Sequence, residues 1–299
     1  MPCYSPLTGY KSTQLTKNGK RKLAFSGGFQ DLPVTVSCGQ CIGCRLERSR
    51  QWATRCLHES QLHPVSSFVT LTYEDKSLPP GGTLNKKHFQ DFMKRLRKSC
   101  GKVRYFHCGE YGETSNRPHY HALLFGLDFP DKVFHTENGQ GNTIYKSDAL
   151  NTLWGHGFCT IGAVNFETAA YTARYILKKV TGAAAQAHYS SVDPSTGEIT
   201  NRQPEYITMS LKPAIGQGWF DRFASDVYPD DFVVVRGKTI RPPRFYDRKF
   251  AELNPGEAEK IKYRRIRNGA QHKSDNTPER LAVKQQVKLA QIKSLSRTL

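Results

Sequence analysis

The sequence predicts an α+β fold, and three observations carry that expectation. Ser67-Phe68-Val69-Thr70-Leu71-Thr72-Tyr73 is rich in β-branched and aromatic residues, as a strand requires. Lys102 to Glu110 and Arg117 to Phe125 are two more runs of strand character, and the polar, Gly-containing loop between them makes a hairpin. Elsewhere apolar residues recur at helical spacing: Phe89, Phe92, Met93 and Leu96 in one stretch, Phe166 to Val180 in another. At 299 residues the chain can bury a full core, in one or two domains.

In order along the chain, residues 1–37 read as short strands joined by turns at Asn18-Gly19 and Gly27-Gly28. Cys38-Gly39-Gln40-Cys41-Ile42-Gly43-Cys44 follows. Three cysteines at a two-residue spacing, with glycines that let the backbone curl, suit a tetrahedral thiolate site. Cys3 is the first choice of fourth ligand, with Cys56 and His58 as alternatives. Zinc is the default metal, and an iron–sulfur cluster also fits. Residues 44–60 form a helix whose non-apolar surface carries Arg45, Arg48, Arg50 and Arg55. After the strand at 67–73, Pro79-Pro80-Gly81-Gly82 breaks the chain, and a helix runs from about Asn85 to Ser99. Leu127 to Tyr145 is polar and Gly-rich, and is expected to be a long loop. Ser147 caps a short helix with Leu150, Leu153 and Trp154, and Gly157 to Gly162 is a further strand. From Ala183 to Pro204 the chain reads as a linker or flexible insert. Phe232 to Val235 and Thr239-Ile240 predict a hairpin around Arg236-Gly237-Lys238, and Thr277-Pro278-Glu279 starts a last helix.

The chemistry concentrates at two places. On a strand, His119 and His121 point to one face and Tyr120 to the other. The hairpin brings Glu110 beside them. Two His and one carboxylate hold a cation and leave coordination positions open, as catalysis requires. In a chain with ten His, a pair of ordinary strand histidines is the bland alternative. The second place is the helix from Phe166, with Asn165 as N-cap and Gly182 as stop. With Tyr171 set at zero, Tyr175 lies at about 40° and Lys178 at about −20°, while the apolar residues fall between about 140° and 260°. The tyrosines are therefore expected opposite the apolar stripe, among Arg174, Lys178 and Lys179. Phenols beside cations ionise more easily, and a phenolate is a nucleophile.

Composition bounds the partners. Lys and Arg number 44 against 26 Asp and Glu, a formal net charge of +18, which points to a polyanion, nucleic acid first. In Arg241-Pro242-Pro243-Arg244-Phe245-Tyr246 cations and rings interleave, which suits single strands. From Lys260 onward eleven Lys and Arg stand against Asp275 and Glu279, adding phosphate contacts without sequence preference. No run of about 18 apolar residues exists, so no membrane span is expected. Met1-Pro2-Cys3-Tyr4-Ser5 lacks the apolar core of a signal peptide, which leads to an expected cytoplasmic location. Eight Cys in such a setting argue for thiols or metal ligands rather than disulfides. The chain has no complete Gly-x-x-x-x-Gly-Lys-Ser/Thr loop, so any duplex unwinding is expected from a partner.

These residues resemble a known superfamily. His119-Tyr120-His121 is similar to the His-hydrophobe-His signature of HUH rolling-circle replication initiators. Tyr171-Thr172-Ala173-Arg174-Tyr175-Ile176-Leu177-Lys178-Lys179 resembles the paired-tyrosine motif of its phage members, in which Lys follows each Tyr by three residues. Lys178 keeps the second Lys, and Arg174 replaces the first. Glu110, nine residues before His119, matches the third metal ligand of related initiators. Cys38–Cys44, Glu47–Trp52 and Phe106–Phe125 look closely like the replication initiators of gokushoviruses, small single-stranded DNA phages of the Microviridae. That likeness covers most of the first 182 residues and, more loosely, Leu211 to Tyr246.

The resemblance implies an HUH-type central antiparallel sheet flanked by helices, with an N-terminal Cys-rich element and a basic C-terminal extension. The corresponding domains are 1–62 (strands, Cys-rich turn and basic helix), 63–182 (endonuclease core), 183–258 (extension with a hairpin) and 259–299 (basic helical tail). It implies Mg²⁺ or Mn²⁺ on Glu110, His119 and His121, besides structural Zn²⁺ on Cys3, Cys38, Cys41 and Cys44. It implies catalysis by Tyr171, Tyr175 and Lys178, with Arg174, Lys179, Arg117, Arg241 and Arg244 on the DNA. The product would be a 5′-phosphotyrosine adduct and a free 3′ hydroxyl at a phage origin, later rejoined. The setting would be the host cytoplasm, with a host helicase and replication proteins as partners. Two other readings compete: a 2-His-1-carboxylate metalloenzyme such as a non-haem iron oxygenase, and a non-catalytic nucleic-acid-binding protein with a zinc knuckle at Cys38–Cys44.

Overall fold

A computed structural model describes residues 3–17, 19, 21–112, 115–174, 179–180, 182–192, 197 and 199–294. The elements begin with β1 (Leu7–Leu15), β2 (Arg21–Ala24), β3 (Phe29–Val36), α1 (Ile42–Ser60), β4 (Ser66–Tyr73) and α2 (Lys86–Cys100). Next come β5 (Arg104–Tyr111), β6 (Pro118–Phe125), β7 (Val133–Glu137), β8 (Thr143–Lys146), α3 (Asp148–Trp154), β9 (Gly157–Ala163) and α4 (Phe166–Arg174). The chain continues through α5 (Ala184–Tyr189), β10 (Ser190–Val192), β11 (Ile199–Asn201), β12 (Tyr206–Met209) and α6 (Gln217–Val227). It ends with β13 (Val233–Val235), β14 (Lys238–Ile240), α7 (Arg244–Leu253), α8 (Pro255–Ala270) and α9 (Pro278–Ser294). The chain divides into two units, Met1–Arg48 with Lys262–Ser296, and a larger one built on Ser49–Ile261.

The larger unit is organised by one antiparallel sheet in the order β12-β5-β6-β4-β9-β8-β7. Alternation along β4 and β6 divides the core into two layers. Val69, Leu71, Tyr120, Ala122 and Leu124 meet Phe89, Phe92, Met93 and Leu96 of α2 and Leu150 and Trp154 of α3. Phe68, Leu123 and Phe125 face the other way, against Ala53 and Cys56 of α1 and Ala169 and Ala173 of α4. Each large apolar side chain buried in this way contributes about 1.5–3 kcal/mol. Gly157 opens β9 at φ 146, and a Cβ there would lie 2.3 Å from Glu74 N. Only glycine allows the two strands to approach so closely. A third cluster packs Phe220 of α6, Val233 and Val235 of β13, Tyr246 and Phe250 of α7 and Ile261 of α8.

Several local expectations are met. Asn85 accepts from Lys87 N–H at 3.0 Å to cap α2, and Ser147 accepts from Leu150 N–H at 3.0 Å to cap α3. Arg236 and Gly237 turn the β13–β14 hairpin at φ 53 and 70. Three expectations fail, the first being the helix expected to reach Val180: α4 is Phe166–Arg174, and Lys179 and Val180 are not helical. The stretch expected as a long loop contains the β7–β8 hairpin, which extends the main sheet. Every residue of β7 is exposed, so burial leaves no alternation in its sequence. The stretch expected as linker or insert contains α5 and the paired strands β10 and β11.

The smaller unit holds the three-stranded sheet β2-β1-β3. Arg21 fastens its turn, donating to the Ser12 carbonyl at 3.0 Å while its guanidinium lies over the Phe29 ring. Among the described residues, no helix is long and apolar enough to cross a membrane.

Candidate functional site

The period of two along β6 puts His119 and His121 on the face that carries Leu123 and Phe125 against α4. Tyr120 points to the opposite layer, where its hydroxyl lies 2.8 Å from that of Tyr73 and accepts from Asn85 N–H at 2.8 Å. The β5–β6 register sets Glu110 opposite His119. Glu110 Oε1 lies 2.6 Å from His119 Nε2 and 2.9 Å from His121 Nε2. The other ring nitrogens are also held, His119 Nδ1 by the Arg117 carbonyl at 3.0 Å and His121 Nδ1 by Thr70 Oγ1 at 3.0 Å. With a cation in place of the Nε2 protons that now face Glu110, a ring that donates through Nδ1 would present its Nε2 lone pair to the metal.

The ligand atoms of the three side chains lie within 4.8 Å of one another, close enough to share one cation. Glu110, His119 and His121 thus form a group fit to hold a metal ion. Burial pushes the Glu110 carboxyl up, but hydrogen bonds from His119 and His121 outweigh it and hold its pKa at about 2. The donor set is one carboxylate oxygen and two imidazoles, ligand types that bind divalent cations.

Helix α4 brings a phenol to this centre. Its start is capped reciprocally, Thr168 N–H donating to Asn165 Oδ1 at 2.8 Å and Asn165 N–H to Thr168 Oγ1 at 3.0 Å. Ser49 Oγ donates to the Ala170 carbonyl at 3.1 Å and ties the helix to α1. The Tyr171 hydroxyl then donates to Glu110 Oε1 at 3.3 Å. Its ring stands edge-on to His121, with centroids 5.1 Å apart.

Tyr171 is less open than its helical-wheel position suggests. It is half-buried and packs beside the core of Ala169 and Ala173, because the metal-site end of the sheet lies under this side of the helix. Arg174 and Lys179 are exposed. Tyr175 and Lys178 lie outside the described residues.

The other expected nucleic-acid contacts are placed differently. Arg117 is ion-paired with Asp75, its Nη1 lying 2.7 Å from Oδ1. Arg241 and Arg244 lie along α1, where the Arg241 carbonyl accepts from Arg50 and Arg244 N–H donates to Gln51. The neighbouring rings are not open to bases. Tyr246 is fully buried, and Phe245 is covered by the Arg55 guanidinium at 4.0 Å.

In the smaller unit, the sulfurs of Cys3, Cys38, Cys41 and Cys44 lie within 4.8 Å of one another. Cys3 is 3.7 Å from Cys38 and 4.0 Å from Cys41. Four thiolates at about 2.3 Å around zinc would be about 3.8 Å apart, whereas a disulfide bond measures about 2.0 Å. Burial raises the Cys41 thiol, but hydrogen bonds from the Cys44 and Tyr4 amides and from neighbouring thiols outweigh it, lowering its pKa to about 6. Cys3 thus completes the group. Of the alternatives, Cys56 is buried in the core and His58 is bonded to Tyr246 Oη at 2.9 Å.

The comparisons with known proteins agree on one family. The family model of the replication-associated protein ORF2/G2P matches residues 66–180. The chain is 32% identical over 266 residues to replication-associated protein VP4 of Bdellovibrio phage phiMH2K, covering 85% of this chain and 79% of that protein. The chain belongs to the phage replication-associated proteins. It is also 31% identical to replication-associated protein ORF2 of Spiroplasma virus 4 over 229 residues, 72% of this chain and 67% of that one. With replication-associated protein ORF4 of Chlamydia phage 1 it shares 26% over 222 residues, 71% of this chain and 52% of that one. The likeness to gokushovirus initiators is borne out. No solved structure matches the chain.

In this replication-associated protein, sequence reasoning missed Thr70. It pairs with His121 across β4 and β6, 51 positions away. Only the strand order reveals that partnership, and no local pattern marks it.

Proposed function

We propose that this protein initiates rolling-circle replication of a phage genome by nicking single-stranded origin DNA with a tyrosine. The observation that carries the reading is the hydrogen bond from Tyr171 to Glu110, whose same oxygen meets both imidazoles. A nucleophile and a cation site are thus adjacent before any substrate arrives. Bound there, Mg²⁺ or Mn²⁺ would supply Lewis-acid polarisation of the scissile phosphate. Glu110, His119 and His121 would hold the cation, with Thr70 and the Arg117 carbonyl fixing the rings.

The Tyr171 oxygen attacks phosphorus as its phenol proton is released to water, and the P–O3′ bond breaks. The bonding pair leaves on the 3′ oxygen, which takes a proton and becomes the free hydroxyl. The 5′ phosphate stays on the tyrosine, so rejoining needs no nucleotide cofactor. Tyr175 serves as the second nucleophile and Lys178 as its proton partner, while Arg174 and Lys179 bind phosphates. Arg117, Arg241 and Arg244 contact DNA phosphates elsewhere on the larger unit.

Residues 63–182 form the endonuclease core, flanked by 1–62, by 183–258 and by a basic tail, 259–299. Cys3, Cys38, Cys41 and Cys44 hold a structural zinc. The protein works in the host cytoplasm at the phage origin, with a host helicase opening the duplex. An oxygenase or a zinc knuckle alone would leave Tyr171 at the metal ligands without a role.

The test is to incubate the protein with single-stranded origin DNA and Mg²⁺ or Mn²⁺ and seek a covalent adduct by denaturing electrophoresis. An adduct lost when both Tyr171 and Tyr175 become Phe supports the nickase. Metal-dependent cutting without an adduct indicates hydrolysis and overturns it.

A further inference from the structure

Beside the candidate metal centre, the sheet carries a groove of about 1000 Å³. Its floor is formed by the same face that bears His121, through Phe68 and Thr160 of the neighbouring strands and the bare backbone of Gly162. Thr168 of α4 stands on one side and Thr143 of the β7–β8 hairpin on the other. Tyr171 and His121 line its inner end, so the groove is continuous with the site where the scissile phosphate would lie. Its one lysine, Lys132, is ion-paired with Asp128 at 2.5 Å, and hydroxyl and amide groups dominate the rest of its polar lining. A channel for phosphates would be cationic, whereas neutral donors and acceptors over an apolar floor fit bases.

A second observation stands at the same end. Phe158 is 62% exposed although it lies on an interior strand of the sheet. Thr72 pairs with both His119 and Phe158, which puts the phenyl ring on the metal-site face. At about 4.8 Å per strand, it lies about 10 Å across the sheet from His119. An exposed ring at that position offers a stacking platform for a base next to the reacting phosphate.

We propose that this groove receives the bases of single-stranded DNA on one side of the scissile bond, with Phe158 stacking the base nearest the metal. The groove thereby selects the origin sequence. The inference rests on the nickase reading for its substrate. Gly162 keeps the groove open: a Cβ there would meet Phe68 at 3.5 Å and Ile144 at 3.9 Å, ordinary contacts, so any longer side chain projects into the space.

The experiment uses the full chain carrying Tyr171→Phe and Tyr175→Phe, so that binding is read without chemistry. A dye-labelled randomised single-stranded DNA pool is bound with Mg²⁺ present, affinity is read by fluorescence anisotropy, and the retained strands are sequenced. Adding Phe158→Ala should weaken binding about tenfold, the scale of one lost base stack. Adding Gly162→Leu should flatten base preference at the positions next to the cleavage point while leaving salt-sensitive binding in place. Wild-type affinity and an unchanged preference profile in both variants would overturn the groove. Phe158 is exposed, so its substitution remains informative even if Gly162→Leu fails to fold. Adduct formation by the unsubstituted protein is scored separately, and its failure would sink the nickase reading without deciding base binding in the groove.

Discussion

At the scale of single residues, the candidate centre depends on groups that orient the metal ligands without being ligands themselves. Thr70 is the clearest, because its hydroxyl lies 3.0 Å from His121 Nδ1 and fixes which nitrogen faces Glu110. Thr70→Val keeps the shape and removes that bond. Removal of such outer partners typically weakens metal binding about 10- to 100-fold. The Mn²⁺ concentration for half-maximal nicking should rise by that factor, with the rate at saturating Mn²⁺ less affected; an unchanged Mn²⁺ curve would show that Thr70 does not orient the ring. Tyr171 makes a separate prediction. Since its hydroxyl already contacts Glu110, Tyr171→Phe should slow the first turnover more than Tyr175→Phe. Single-turnover adduct formation distinguishes them, and equal losses would remove the ordering.

At the scale of elements, the second half of α1 joins α6 and α7 through His58. Its ring stacks on Trp219 with centroids 3.6 Å apart, and Nδ1 lies 2.9 Å from Tyr246 Oη. Burial lowers the His58 pKa to about 4. Below an unfolded value of about 6.5 the unfolded chain takes up a proton that the folded chain does not, so stability is lost as pH falls from about 6.5 toward 4. At pH 5 the loss is about 2 kcal/mol. The urea midpoint should therefore fall between pH 7 and pH 5, and the pair His58→Phe with Tyr246→Phe, which removes both polar partners, should flatten that slope. Glu59 nearby has its pKa lowered: burial raises it, but Arg104, the Gly216 amide and His63 outweigh burial. The same elements show what the sequence could disclose. β4, α2 and the β5–β6 hairpin were legible because each buries one face and its side-chain period survives in the sequence. The β7–β8 hairpin was not, since every residue of β7 is exposed and its side-chain period leaves no trace in the sequence. Arg241 to Tyr246 misled for the opposite reason: its rings resemble a base-stacking patch but build the α6–α7 core. His119 and His121 were readable from parity, while Thr70 required strand order.

At the scale of the whole molecule, the net charge of +18 is the property no single element explains. Spread over the surface, such a charge would raise the local DNA concentration and bind phosphates without reading bases. The neutral lining of the groove beside Tyr171 would then leave sequence selection to a small part of the chain, with affinity carried by the remainder. The two contributions separate by salt, because each phosphate neutralised on a single strand adds about 0.7 to the slope of log affinity against log salt. Arg267 and Lys293, both exposed on the basic C-terminal helices α8 and α9, are suitable probes. Arg267→Gln with Lys293→Gln should lower that slope by about 1.4. The weakening should be uniform across a randomised single-stranded pool, with no change in which bases are preferred near the cleavage point. Anisotropy titrations at several salt concentrations measure the slope. An unchanged slope would assign these cations to solubility, whereas an altered base preference would place the tail at the site of sequence reading.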